Sequence, residues 1–258
     1  MKELKKQIAE LLHQKLSIYG FKKKGQWEYV RTVENNNVIQ IIGLTFSHPE
    51  RDVIAVSLTF WIIYKNINEV AMKFGEPDCC TKYYRPMVAT TISDLIPGTC
   101  YREWCFTLKD DYSTIADNTK EIVDVIIQYG FPYFETSSKE SNLIDEIKRY
   151  GDDGRLIPII YYIHNEKAKA LEHIEKHIKK KSEWPTKEDY ESAKRLAGEG
   201  GHFVMVENNA LKYYMEFVEN FKRILNETER GAMGISIDLN FPLFLSIFYR
   251  IYFNGHLL

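Results

Sequence analysis

The chain carries no strong charge of either sign. Its 34 Lys and Arg residues stand against 36 Asp and Glu, a net charge of -2 over 258 residues. Attraction of the whole molecule to nucleic acid or anionic lipid is therefore excluded, and such binding would need a local patch. No apolar run reaches the ~20 residues of a bilayer-spanning helix. The stretch Phe241 to Phe253 is too short and contains Arg250. It reads as a buried terminal helix or strand, with a partner-binding or membrane-touching tail as the alternative. The start Met1-Lys2-Glu3-Leu4-Lys5-Lys6 lacks a signal peptide's apolar core, so a cytoplasmic protein is expected. Cysteine is scarce: Cys79, Cys80, Cys100 and Cys105 fall into no C-x-x-C spacing. They are expected to stay reduced, and neither a zinc ribbon nor a thioredoxin-like pair is supported.

Familiar reaction motifs are missing too. There is no G-x-S-x-G elbow. The glycine-rich Gly198-Glu199-Gly200-Gly201-His202 lacks the lysine and hydroxyl residue of a phosphate-binding loop, and no strand precedes it. It reads as a loop between helices. No repeat of fixed period occurs, and no cofactor is implied.

What is present is an ordinary globular composition, 45% apolar and 27% charged. Leu4, Ile8, Leu11, Leu12, Leu16 and Tyr19 recur at helical spacing and predict a helix over 2–19, closed by Gly20. Three strands follow, at about 26–32, 37–46 and 52–64, the last apolar on both faces and hence central. A short helix at 66–74 and strands at 87–95 and 101–108 are expected. The period then turns helical. A helix over 113–129 is expected with Ser113 as cap and Gly130 as stop, and one over 138–150 with Ser137 and Glu140 as capping box. Asn165 and Thr186 are expected caps for later helices, and Leu211 to Leu225 marks a long amphipathic one. The fold class is α+β: an N-terminal helix, a mostly antiparallel sheet covered by helices, and an all-α C-terminal segment. Domains are expected at 1–150 and 151–258.

Leu16, Tyr19-Gly20-Phe21-Lys22-Lys23-Lys24-Gly25, Trp27-Glu28-Tyr29-Val30-Arg31 and Val38-Ile39-Gln40-Ile41-Ile42 together resemble a bacterial family known as domain of unknown function 4304. Trp104 and Tyr129-Gly130-Phe131-Pro132-Tyr133-Phe134 extend the resemblance, which covers about 4–150. It implies helices against an antiparallel sheet and carries over no catalytic residue.

Two constellations could carry function. Lys22, Lys23, Lys24 and Arg31 lie beside Trp27 and Tyr29, a candidate binding surface of loop cations and stacking rings. The simpler reading packs Trp27 and Tyr29 under the first helix. His173 and His177 stand one helical turn apart and could share a metal ion, with Glu166 on the same stripe. Leu171, Ile174 and Ile178 define the expected buried face, and the histidine stripe points roughly 120° away from it. A solvated stripe without metal is the expectation, because no third ligand lies nearby. Asp110-Asp111 and Asp152-Asp153 read as caps or turns.

The leading expectation is a non-catalytic protein-binding module, with an immunity-type role as one concrete form. It rests on the aromatic content, 17 Tyr, 14 Phe and 4 Trp, and on the missing catalytic set. The alternatives are an enzyme or metalloprotein whose site is assembled from distant residues, and nucleic-acid binding through Lys22–Lys24, the least favoured. Another protein is the expected partner.

Overall fold

A computed structural model describes residues 1–34, 37–74, 86–98, 101–152, 154–197 and 208–232. The chain divides into two compact units, Met1–Phe217 and Val218–Leu258. The boundary expected at 150 falls inside the first.

Helix α1 (Lys2–Ser17) buries Leu4, Ile8, Leu11, Leu12 and Leu16, the spacing read from the sequence. Its end is closed by two backbone bonds, Gly20 N to Ser17 O and Phe21 N to Leu16 O, at 2.9 and 3.3 Å. This closure requires a left-handed residue, and Gly20 has φ +84°. An antiparallel sheet follows, built from β1 (Lys22–Lys24), β2 (Glu28–Val33), β3 (Val38–Ser47), β4 (Val53–Tyr64), β5 (Val88–Thr91) and β6 (Trp104–Thr107). The order is β1-β2-β3-β4-β5, and β6 pairs with the other end of β4. The central place expected for β4 follows from its three partners. The β3–β4 ladder runs from Val38 opposite Tyr64 to Ser47 opposite Ala55.

One sheet face is covered by helices. Phe60 meets the rings of Tyr133 and Phe134 at 6.3 and 5.6 Å, and Tyr64 Oη donates to Ser137 O. The helix expected over 113–129 begins earlier, as α4 (Tyr112–Val125), and its cap is Asp111, which accepts from Thr114 N at 2.8 Å. Ser113 is not the cap. Nor does Gly130 stop the helix. A π-helical turn (Ile126–Gly130) leads straight into α5 (Phe131–Ser137), with Gly130 at φ −70°. Gly130 serves close approach instead: a Cβ there would lie 2.4 Å from the Phe60 ring. Ser137, expected in a capping box, is buried at the end of α5, and α6 (Glu140–Tyr150) starts from Lys139.

Helix α2 (Lys65–Lys73) and the short α3 (Ile92–Leu95) decorate the sheet. After α6, a glycine-flanked turn enters α7 (Leu156–Ile163). Phe74 at the end of α2 meets Tyr162 of α7 edge-on at 5.2 Å, which ties the later helices to the sheet. Asn165 does not cap α8 (Lys167–Ser182); with φ +60° it closes α7 by the same paired bonds as Gly20, and Glu166 takes the cap position. Thr186 caps α9 (Lys187–Ala197) as expected, and with Asp189 it forms a capping box. Helix α10 (Asn209–Ala232) begins in the first unit. In the second unit, Val218, Phe221 and Leu225 recur at helical spacing, and Arg223 pairs with Glu227 at 3.0 Å. The glycine-rich stretch Gly198–His202, the cysteines Cys79, Cys80 and Cys100, and the apolar run from Phe241 lie outside the described residues. No helix among the described residues is long and apolar enough to cross a membrane.

Candidate metal centre

The turn between α6 and α7 is shaped by two glycines. Gly151 ends α6 at φ +117°, and Gly154 follows at φ +90°. Between them Asp152 folds back on itself: its Oδ1 accepts the Gly154 amide at 2.8 Å. The turn leaves Oδ2 directed at α8. There Oδ2 lies 2.7 Å from His173 Nε2 and 3.1 Å from His177 Nε2. Since a carboxylate only accepts, the imidazole N–H donates. The two rings stand 4.7 Å apart between centroids. The nearest donor atoms of all three residues lie within 4.8 Å of one another.

The cluster is shielded. Asp152, His173 and His177 expose 10%, 13% and 9% of their side chains. Gly154 is pressed on His177, so that a Cβ there would come within 2.7 Å of the imidazole. Tyr214 of α10 closes the other side. Its hydroxyl donates to Gly154 O at 3.0 Å and its ring lies 6.2 Å from His177.

These surroundings correct the expected solvated stripe. The buried residues of α8 are Ala170, Ile174 and His177, a face turned by roughly 60° from the one defined by Leu171, Ile174 and Ile178. The face turned because a polar partner, Asp152, makes burial of imidazole favourable. Glu166, expected on the stripe, pairs with Lys169 at 3.0 Å instead. The third group that sequence reading lacked is Asp152, 21 positions before His173.

Electrostatics sets the protonation of the group. Burial lowers the pKa of His177, helped by nearby His173 and Lys181 and opposed by Asp152. Burial would raise Asp152, but the hydrogen bonds from His173 and Gly154 and the two imidazoles outweigh it and hold the carboxyl below its ordinary range. Near neutral pH the set therefore offers a carboxylate and an uncharged His177, the forms that ligate metals. Bonds of about 2.0–2.2 Å from nitrogen and oxygen to one ion would separate neighbouring donors by about 3 Å. Oδ2 already stands at such distances from both Nε2 atoms. An ion would replace the two imidazole protons that now face that oxygen.

The other candidate surface is not a single patch. Lys22–Lys24 form an exposed edge strand rather than a loop, and Lys23 pairs with Glu10 at 3.4 Å. Tyr29 is fully buried under α1, its hydroxyl donating to Ala9 O at 2.6 Å. Burial, with Glu10 nearby, raises its pKa. Arg31 lies over the rings of Phe21 and Phe131 and donates to Gln40 Oε1 and Tyr19 O. Trp27 stands edge-on to Phe46 at 4.7 Å and lines a cleft on the opposite sheet face with Lys24, Ile39, Ile41, Trp61 and Ile63. Of the candidate residues only Tyr29 is withdrawn from solvent; Trp27 and Arg31 are half-buried and the three lysines are exposed. Asp110 and Asp111 serve turn and cap, as read.

Comparison with protein-family models, curated proteins and solved structures found no match to this chain.

Proposed function

We propose that this chain is a metalloprotein that holds one divalent transition-metal ion on Asp152, His173 and His177. The observation that carries the reading is the convergence of these three donors, from a turn and a helix, in a shielded position. Two imidazoles and a carboxylate suit zinc, iron(II) or manganese(II), and three protein ligands leave at least one coordination position for an outside molecule. That count is typical of reactive centres, whereas structural zinc sites close with four protein ligands.

The reading as a protein-binding module, immunity-type or otherwise, rests on aromatic content. Many of the large rings lie in the core: Tyr29, Phe60, Tyr64, Phe74, Phe106 and Phe134 are essentially inaccessible. That weakens the motive for it. The family resemblance over 4–150 stays part of our reading of the sheet domain. It ends before Asp152 and bears on no ligand of the centre.

Elemental analysis of protein purified without an affinity resin, then reconstituted with zinc, iron(II) or manganese(II), tests the proposal. About one equivalent should be retained after dialysis. Asp152→Asn and His173→Asn should each abolish retention while leaving the far-ultraviolet circular dichroism unchanged. Metal content near zero in the reconstituted native chain would refute the reading.

A further inference from the structure

The metal ligands on α8 do not stand alone on their face. At 100° per residue His173, Lys176, His177 and Lys180 form one stripe, three and four positions apart. Asp152 and His177 line an open cleft of about 520 Å³, together with Lys148, Lys176, Lys179 and Lys180. Four ammonium groups thus border the cavity onto which two of the ligands open. Among the described residues that line it, the only acid besides Asp152 is Glu183, and Asp152 is engaged by both histidines. Among the described residues Lys176, Lys179 and Lys180 form no ion pair, and Lys148 reaches Asp145 only at 4.0 Å. Lys176 and Lys180 are like charges one turn apart, a spacing that disfavours a helix.

Favourable placement at the negative end of α8 explains cations in its last turn. Lys148 stands likewise in the last turn of α6, whereas Lys176 lies two turns back from the end of α8, where no helix end accounts for it. What the four share is the cleft.

Resting on the metal reading above, we propose that the cleft binds a small phosphate-bearing molecule, with a phosphate oxygen at the open position of the ion and Lys148, Lys176, Lys179 and Lys180 around the remaining oxygens. A phosphate group carries the charge and the several acceptors that a ring of point-charge donors matches. Neutral or cationic ligands would leave four ammonium groups repelling one another beside a divalent cation.

Cobalt(II) separates the two levels of the argument, because its visible bands report the ligand set. The full chain is loaded with one equivalent of cobalt(II), and inorganic phosphate is titrated in. The expected result is visible cobalt bands that shift on titration. The triple variant K176Q/K179Q/K180Q should keep the bands and bind phosphate about ten-fold more weakly, since three exposed charge contacts are lost. Bands that form but ignore phosphate would overturn the phosphate assignment and leave the metal centre standing. An equal response in the triple variant would overturn the role of the lysines. Failure of the bands to form would overturn both. Sedimentation with vesicles containing phosphatidic acid, without a response to free phosphate, would overturn the assignment to a small soluble ligand.

Discussion

At the residue scale, the centre depends on positions that have little margin. Gly154 combines a left-handed backbone with direct contact on His177. Gly154→Ala should destabilise the fold by about 1–3 kcal/mol and abolish metal retention, read as a lower denaturant midpoint and by elemental analysis. Protons compete with metal for the same nitrogens. Acidification from pH 7.5 to 5.5 carries an ordinary imidazole through its titration, so metal affinity should fall, on the order of ten-fold for each histidine that titrates there. The lowered pKa of His177 shifts its share of that loss toward more acidic pH. An affinity that stays unchanged on acidification past the lowered pKa of His177 would show that no histidine ligates. Away from the centre, Tyr29→Phe removes a buried hydrogen bond to Ala9 O and should lower stability by about 1 kcal/mol.

Elements carry the next level. The sheet is gripped through Phe60, whose ring fits against the π-helical turn because Gly130 has no side chain. Gly130→Ala should force that turn off the sheet and destabilise by about 1–3 kcal/mol, measured by chemical denaturation. Phe60→Leu in the same background should recover part of the loss, since a smaller side chain admits the added methyl. Helix α8 shows how an amphipathic pattern can mislead. Leu171 and Ile178 are only partly covered, whereas Ala170 and His177 face inward. Small Ala170 suits close packing, and a satisfied imidazole can be buried at little penalty.

For the molecule as a whole, the metal should act as a staple. Asp152 lies between α6 and α7, and both histidines lie on α8. Binding to the folded chain alone stabilises by about 2.7 kcal/mol when free metal reaches 100 times Kd. Thermal unfolding of the first unit should therefore shift upward with added zinc and return with a chelator, and Asp152→Asn should show neither change.

Local chemistry determined much of this protein from the sequence. Short-range apolar patterning placed α1, β2, β3, β4 and α10: α1 and α10 bury one repeating stripe, whereas β4 is apolar on both faces. Gly20, Gly151 and Thr186 ended or began helices as their backbone and hydroxyl chemistry requires. Helix ends at Gly130 and Asn165 were misread, since a glycine can serve packing and an asparagine can close the preceding helix as well as start the next. The two histidines were legible as a pair, one turn apart. Their burial and their third partner were decided only by tertiary structure. Asp152 reaches them through a turn that reverses the chain by way of two left-handed glycines and an intervening helix. Contacts of that range depend on how helices pack, which no local spacing encodes.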